Sequence, residues 1–185
     1  MFRDARATDA AAVAALHAES WRRHYRGAYA DSFLDGDVLA DRRDFWAVRL
    51  SEAGAVSFQL TIIAEDPEPV GFVHVAIAAD ERFGALVDNL HVAHDRQRHG
   101  IGARLMRLAA EALVEARHDE AVYLWALEQN LAARAFYEAI GGRRAEAASV
   151  EPPGGVKGRL VGTPRKLRYV WESAKALRAG AGKQA

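Results

Sequence analysis

The segment Gln97–Gly102 carries the residues of this chain best suited to binding a phosphorylated ligand. It reads Gln-Arg-His-Gly-Ile-Gly, follows the strand-like stretch Ala85–Val92, and its two glycines begin a helix-like stretch. The first turn of a helix has N–H groups without intrahelical partners and a partial positive charge, about half an elementary charge. Glycine has no Cβ, so a phosphate can approach the backbone closely. The segment therefore predicts a pyrophosphate site, with Arg96, Arg98 and Arg104 as nearby cations.

A strand followed by glycines and a helix occurs in several kinds of nucleotide site. The dinucleotide-binding fingerprint needs a third Gly or Ala where this chain has Leu105, and the phosphate loop of NTPases needs Gly-Lys-Ser/Thr, which is absent here. A helix that begins with glycines and binds no ligand also stays open on this segment alone.

Two motifs together give a family resemblance. Gln97–Gly102 fits Gln/Arg-x-x-Gly-x-Gly/Ala, the acyl-CoA motif of the GNAT superfamily of N-acetyltransferases, and the chain resembles that family from about Phe2 to Trp171. The family often shows Asn-x-x-Ala-x-x-Phe-Tyr-Glu-x-x-Gly-Phe after a later strand. This chain matches it at Asn130, Ala133, Phe136, Tyr137, Glu138 and Gly141. It departs at Gly142, where Phe is usual, so the local packing there is expected to differ.

The resemblance implies acetyl-CoA as a co-substrate and no metal. It places the pantetheine arm between the strand ending at Val92 and the next strand, and it implies that a backbone N–H, at Val92, polarises the carbonyl. The implied cofactor-binding residues are Leu90, His91, Val92, Gln97, Arg98, His99, Gly100, Ile101, Gly102, Ala103, Arg104, Asn130, Ala133, Phe136 and Tyr137.

Tyr137 is the expected catalytic acid, since a phenol can donate to the departing sulfur. As residues alone, Phe136 and Tyr137 could equally be core packing. Asp88 is the expected catalytic base, with His91 and Glu128 as open alternatives.

The acceptor pocket is expected around Trp21 and Tyr25, which are four residues apart and could instead belong to the core. Three histidines, His91, His94 and His99, lie close in sequence, but no carboxylate pattern completes a metal site.

The surrounding stretches predict alternating strands and helices from their apolar spacing. The predicted strands are Phe2–Ala5, Val56–Ala64, Val70–Ala78, Ala85–Val92, Ala121–Leu127, Arg143–Val150 and Lys166–Trp171. The predicted helices are Ala10–Tyr25, Val38–Leu50, Ile101–Arg117 and Leu131–Ile140. Glu52–Ala55 is predicted as a turn, and Glu151–Pro164, with its prolines and glycines, as a long mobile loop.

These elements predict one α/β (α+β) domain over residues 1–173. Its expected architecture is a central mixed, mostly antiparallel sheet of about seven strands, flanked by about four helices. Residues 174–185 form a polar, alanine- and glycine-rich stretch, which predicts a flexible tail.

The composition narrows the range of functions. The chain has 185 residues, with 25 Lys plus Arg and 25 Asp plus Glu, so net charge gives no argument for nucleic acid or an anionic membrane as partners. Without cysteine, disulfides and thiol catalysis are excluded. No leader or membrane-length apolar run is present in the sequence, which predicts a cytoplasmic location. A homodimer stays open.

The expected function is transfer of an acetyl group from acetyl-CoA to a primary amine of a small molecule or a peptide. Direct attack in a ternary complex is expected, because no cysteine can carry the acyl group. The acceptor stays open among a polyamine, an antibiotic, an amino acid and a protein N-terminus. A regulatory module that binds acyl-CoA without turnover is the alternative from another class.

Overall fold

A seven-stranded sheet organises the computed structural model, which describes residues 1–51 and 59–183. Its strands are β1 (Phe2–Asp4), β2 (Gln59–Glu65), β3 (Pro69–Asp80), β4 (Gly84–Val92), β5 (Val122–Leu127), β6 (Arg143–Ser149) and β7 (Arg165–Trp171). They lie in the order β1-β2-β3-β4-β5-β7-β6, and every neighbouring pair is antiparallel except β4 and β5. The predicted mixed, mostly antiparallel sheet is confirmed.

Six α-helices lie in the described part of the chain, two more than the sequence predicts. They are α1 (Ala10–His24), α2 (Asp31–Asp35), α3 (Val38–Arg49), α4 (Ile101–Glu115), α5 (Leu131–Ala139) and α6 (Ala174–Gly182). The four predicted helices correspond to α1, α3, α4 and α5, and they begin where their sequences indicate. Helix α2 is only five residues long and has too few residues to show a helical period.

The sheet has helices on both faces, and alternation along β3 shows the two layers. Phe72 packs with Trp46 of α3 and with α1, whereas Val73 and Val75 belong to the core cluster that includes α4 and α6. Successive side chains of a strand point to opposite faces, so a strand buried on both sides is apolar at nearly every position. This explains the near-continuous apolar run in β3.

The end of the chain differs from its prediction. The flexible tail expected from residue 174 is instead helix α6 over most of its length, with Ala174, Leu177 and Ala181 buried. A Cβ on Gly180 would lie 2.0 Å from the carbonyl oxygen of Ile140, so only glycine lets the helix lie this close to its neighbours. The glycine and alanine residues that suggested a flexible tail are therefore the ones that let α6 pack closely against the domain.

The predicted strands match β1 to β7 to within a few residues where the structure describes them. The turn at residues 52–55 and the first three residues of the predicted strand Val56–Ala64 lie outside the described residues. The long loop at residues 151–164 is present, and it is bonded to the rest of the domain: Arg159 Nη1 donates to Asp41 at 2.5 Å, and Val161 N–H donates to the Ala28 carbonyl at 2.9 Å.

Histidines lie in the interior between the sheet and α1. Burial holds the pKa of His17 well below its usual range and lowers the pKa of His74 to about 4 and that of His91 to about 3. The folded state therefore keeps these imidazoles neutral, whereas the unfolded chain binds protons below about pH 6.5. Their contribution to stability is complete above that pH and is lost as the pH falls toward the folded-state values.

We expect the free energy of unfolding to fall between pH 7.5 and pH 5.0, where the carboxylates stay ionised. Each neutral imidazole contributes a slope of at most about 1.4 kcal/mol per pH unit. His74→Asn keeps a polar group near its partner Thr61, which lies 2.7 Å from His74 Nδ1, and should reduce the slope. Urea titrations at both pH values measure the free energy of unfolding and so give this slope. His99→Asn, at an exposed position, is the control; equal slopes in all three proteins would contradict the prediction.

Candidate active site

The site begins where β4 and β5 stop pairing. Their parallel contact consists of two residue pairs, Ala85↔Val122 and Leu86↔Tyr123. Beyond these, β4 stays paired with β3 as far as Val92, and β5 stays paired with β7 as far as Leu127. The two central strands therefore separate toward their carboxyl ends and leave a gap in the sheet.

The β4 side of this gap presents unpaired backbone groups. Ala93 N–H donates to the carbonyl of Val70, near the start of β3, at 2.8 Å. Because N–H groups of alternate residues in a strand point to opposite sides, those of Leu90 and Val92 point into the gap. The Val92 carbonyl accepts from Gln97 Nε2 at 3.2 Å, so this side chain ties the loop to the end of the strand.

The loop after β4 bends through two left-handed residues into α4. Arg98 has φ 63° and Gly100, the N-cap residue of α4, has φ 77°. A non-glycine residue at positive φ carries local strain, which is typical of functional loops. Gly100 has no side chain to cap the helix, so the N–H groups of its first turn stay available.

A large cavity of about 670 Å³ occupies the gap and the start of α4. All predicted cofactor-binding residues line it except His99, Ile101 and Arg104. Ile101 packs against the core, the Arg104 guanidinium lies 5.9 Å from the Phe2 ring centroid, and His99 Nδ1 is 2.8 Å from the Gln97 carbonyl oxygen. These three side chains are not brought to the cavity.

Some lining residues were not predicted as cofactor-binding. They are Ser20, His24, Tyr25, Trp125, Ala126, Leu127 and Ala132, and Arg96, predicted as a nearby cation, lines the cavity as well. The β5 residues carry no motif, and only their position on the strand facing β4 brings them to the gap. Ser20 could have been found from its place one residue before Trp21, which was predicted to line the acceptor pocket.

Asn130 and Tyr137 lie at the two ends of α5. Asn130 is the N-cap residue, and its Oδ1 accepts from Ala133 N–H at 3.1 Å. Its Nδ2 donates to no described residue and lies at the large cavity. Tyr137 is 9% exposed. Burial, and to a smaller extent the nearby Tyr25, raises the pKa of its phenol above the usual value. Its phenol therefore stays protonated at neutral pH.

A small cavity of about 380 Å³ lies beside the first, between the sheet and helices α1 and α3. The predicted acceptor residues Trp21 and Tyr25 and the predicted base Asp88 line it. The two cavities share five lining residues, which mark where they meet. These are Tyr25, Leu90, His91, Trp125 and Tyr137.

The three candidate bases have different positions. Asp88 lines only the small cavity, and its Oδ2 accepts from Arg49 Nη1 at 2.7 Å and from Asn89 Nδ2 at 3.0 Å. His91 lines both cavities, and its Nδ1 is 2.8 Å from Ser20 Oγ. Glu128 lines neither cavity, and its carboxylate lies 3.5 Å from Arg165. The structure thus separates Glu128 from the other two.

The departure at Gly142 has a packing explanation. A Cβ there would lie 2.7 Å from Cζ2 of Trp171 and 2.9 Å from the Tyr137 carbonyl oxygen. The Trp171 indole also donates to the Ile140 carbonyl at 2.9 Å. Trp171 therefore occupies the space beside the end of α5, and glycine is the residue that fits.

Within the described residues, no group of three or more His, Cys, Asp or Glu side chains is arranged to hold a metal ion. His91, His94 and His99 do not form a cluster there. None of the helices in this part of the chain combines the length and the apolar character needed to span a bilayer.

Comparison with known proteins decides the family. The model of the acetyltransferase (GNAT) family matches residues 14–141, most of the chain and both cavity-lining motifs. The chain belongs to the GNAT acetyltransferase family. It is 30% identical over 148 residues to a protein named as a probable N-acetyltransferase of Mycobacterium tuberculosis, covering 74% of this chain and 75% of that one. The chain is therefore an N-acetyltransferase.

Solved structures share the fold of this acetyltransferase. PaiA N-acetyltransferase from Thermoplasma acidophilum, in complex with coenzyme A, has a TM-score of 0.70 at 15% identity and covers 92% of this chain and 98% of its own. The structure of yncA from Salmonella typhimurium with its cofactor acetyl-CoA has a TM-score of 0.63 at 16% identity and covers 93% of this chain and 92% of its own. At such identities the likeness establishes the fold alone.

The cap of α5 generates a prediction about stability. Asn130→Ala removes the oxygen that accepts from Ala133 N–H and should lower the free energy of unfolding by about 0.5–2 kcal/mol. Asn130→Asp retains a capping oxygen and should stay within about 0.5 kcal/mol of the parent protein. Urea denaturation at neutral pH measures both. A similar loss in the two variants would show that the cap is not what Asn130 contributes.

Proposed function

We propose that this acetyltransferase binds acetyl-CoA in the large cavity and transfers the acetyl group to a primary amine in the small cavity. The observation that carries the proposal is the junction of the two cavities at Tyr137, on the carboxyl side of the point where β4 and β5 separate. A donor and an acceptor bound on either side would meet there without an intermediate carrier, which supports direct attack in a ternary complex.

The large cavity suits the parts of coenzyme A. Its pyrophosphate would bind at the start of α4, where Arg98, Gly100 and Gly102 line the cavity and the helix dipole favours an anion. The amide-containing pantetheine arm would lie along β4 and bond to the unpaired N–H groups in the gap. The Asn130 amide donor faces the same cavity and is available to this arm.

The reaction needs stabilisation of the charge that develops on the thioester oxygen. The N–H of Val92 points into the gap next to the junction of the cavities, and it is proposed to donate to this oxygen. The free amine nitrogen forms a bond to the acetyl carbon and becomes cationic, and the carbon–sulfur bond then breaks. Tyr137 donates its phenolic proton to the departing thiolate of coenzyme A. The nitrogen gives up its extra proton to the phenolate that Tyr137 becomes, which yields the neutral amide and restores the phenol.

Asp88 is proposed to receive the proton from the acceptor's ammonium, directly or through water. Arg49 and Asn89 both occupy Oδ2, which leaves Oδ1 open to a group in the small cavity. His91 lies closer to the junction, but its pKa of about 3 makes it a neutral imidazole at physiological pH and a weak base.

A turnover assay tests the proposal as a whole. Release of coenzyme A from acetyl-CoA should depend on added amine, and the product should be the N-acetylated amine by mass spectrometry. Tight binding of acetyl-CoA with no turnover on a broad amine panel would instead favour an acyl-CoA-binding regulatory module, and absent binding would overturn the proposal.

Gly102 offers a sharp test of the pyrophosphate position. A Cβ there would make only ordinary contact, 3.5 Å from the Phe136 ring, so substitution is compatible with the fold. Gly102→Glu should keep or raise the melting temperature, because it replaces glycine and adds a negative charge in the first helical turn. It should nevertheless weaken acetyl-CoA binding by about tenfold or more through repulsion of the phosphates.

Calorimetry with acetyl-CoA measures this effect, and Gly102→Ala separates bulk from charge. The Ala variant should lose less affinity than the Glu variant. If the Glu variant binds acetyl-CoA as tightly as the parent protein, the phosphates do not lie at this helix start.

Tyr137→Phe tests the proposed acid. It retains the buried ring and removes only the hydroxyl, so the melting temperature and the Kd for acetyl-CoA should change little. The kcat should fall by about 10²-fold, the low end of general acid catalysis, because a thiolate is already a fair leaving group. Single-turnover kinetics with an identified acceptor measures it, and a parental rate constant would reduce Tyr137 to packing.

A further inference from the structure

The small cavity has an excess of positive charge. Three cationic side chains line it, from Arg42, Arg49 and Lys166, against one carboxylate, Asp88. Asp88 is already paired with Arg49 through the 2.7 Å bond, so this pair is close to neutral as a unit. Arg42 is bonded to Asp41, which does not line the cavity and is shared with Arg159, so Arg42 and Lys166 still leave net positive charge around the cavity.

Arg42 is held rigidly, with one nitrogen to spare. Its guanidinium carbon lies 4.3 Å from the ring centroids of both Trp21 and Phe45, and the side chain is 8% exposed. Its Nε and Nη2 donate to Asp41, which also accepts from Arg159, so this carboxylate is shared between two cations. Nη1 of Arg42 donates to no described residue and is available to a ligand.

Lys166 is a cation without a carboxylate partner in the described part of the chain. Its Nζ lies 4.9 Å from the ring centroid of Trp125, which lines both cavities, so the ammonium is placed near their junction. A lysine on the surface usually reaches water or an acidic neighbour, whereas this one lies half-buried on an aromatic face.

His17 adds a buried donor to the same cavity. The indole N–H of Trp46 can only donate, so His17 Nδ1, 3.0 Å away, must accept, and the proton of the neutral ring sits on Nε2. His17 is 1% exposed, and its Nε2 has no hydrogen-bond partner among the described residues. This nitrogen is itself closed to solvent, so His17 adds a neutral polar ring, and no charge, to the wall of the cavity.

We infer that the acetyl acceptor is an amino acid, whose carboxylate binds between Arg42 and Lys166 while its amine lies toward Asp88 and the cavity junction. The inference rests on the proposed function and names its substrate class. Arginine and lysine recognise carboxylates through charge-assisted hydrogen bonds, and a planar guanidinium matches a planar carboxylate.

The same charges disfavour other acceptors. A polyamine would bring two or more ammonium groups into a cavity that already has more cations than carboxylates in its lining, and the repulsion is strong where water is scarce. For a single amine the field is useful, because nearby positive charge lowers the pKa of its ammonium and raises the fraction of the nucleophilic free amine. The carboxylate then supplies the binding energy.

The test compares acceptors that differ only in the carboxylate. The full chain is assayed with acetyl-CoA and the common protein amino acids, then with the decarboxylated amine and the amide of the best substrate, and with spermidine. We expect kcat/KM for the amino acid to exceed that of each comparison compound by about tenfold to a hundredfold, as for a hydrogen-bonded charge pair.

Variants assign the effect to the cavity. Lys166→Gln should raise KM for the amino acid about tenfold and should change KM for the decarboxylated amine less. Lys166→Arg should bring KM for the amino acid most of the way back to the parental value. Arg165→Gln, the neighbouring cation, lines neither cavity and should behave as the parent protein. Calorimetry with acetyl-CoA checks that the large cavity is intact in each variant.

The outcomes separate the inference from the proposed function. If acetyl-CoA binds and the decarboxylated amine or spermidine is acetylated as fast as any amino acid, the inference is overturned and the proposed function stands. If other amines are acetylated and no amino acid is, the inference is likewise overturned and the proposed function stands. If acetyl-CoA does not bind, both are overturned.

Discussion

The architecture of the site depends on how little β4 and β5 touch. A parallel pair of strands normally continues as long as both strands do, because each unpaired N–H and C=O inside a protein costs free energy. Here the pairing ends after two residue pairs. Beyond that point β4 stays paired with β3 and β5 stays paired with β7, which keeps the two central strands apart. The sheet thereby creates a gap lined with unpaired backbone donors without losing its overall connection.

This gap explains why the functional residues come from distant parts of the chain. Helix α4 starts at the end of β4 and α5 starts near the end of β5, so both helix N-termini lie at the same edge of the sheet. Helix α1 covers the other face and brings Tyr25 to the junction with Tyr137. Burial raises the pKa of Tyr137, so its phenol keeps its proton at neutral pH where the two cavities meet.

Features with a local cause could be predicted from the sequence, and those with a tertiary cause could not. Gly100, Asn130 and Gly141 mark helix ends through their own backbone and side-chain properties, and the helices begin and end there. Helix α6 was missed because its two glycines disfavour a helix locally, although Gly180 fits a surface that only the folded chain presents. In the same way, Tyr137 was proposed from a family motif and Trp21 from its region of the chain, whereas Arg42 and Lys166 are distant in sequence and line one cavity only in the folded chain.

The polar side chains beneath the small cavity include two histidines that carry no charge. Neutral His17 and His91 stack with ring centroids 4.6 Å apart, and Trp46 fixes the tautomer of His17. An imidazolium in this position would add to the positive charge of Arg42 and would have no carboxylate beside it, which is why burial and the arginine both lower these pKa values. Burial keeps both rings neutral, because an isolated buried charge costs far more than a buried polar group. The fixed positive charge of the small cavity therefore comes from Arg42, Arg49 and Lys166.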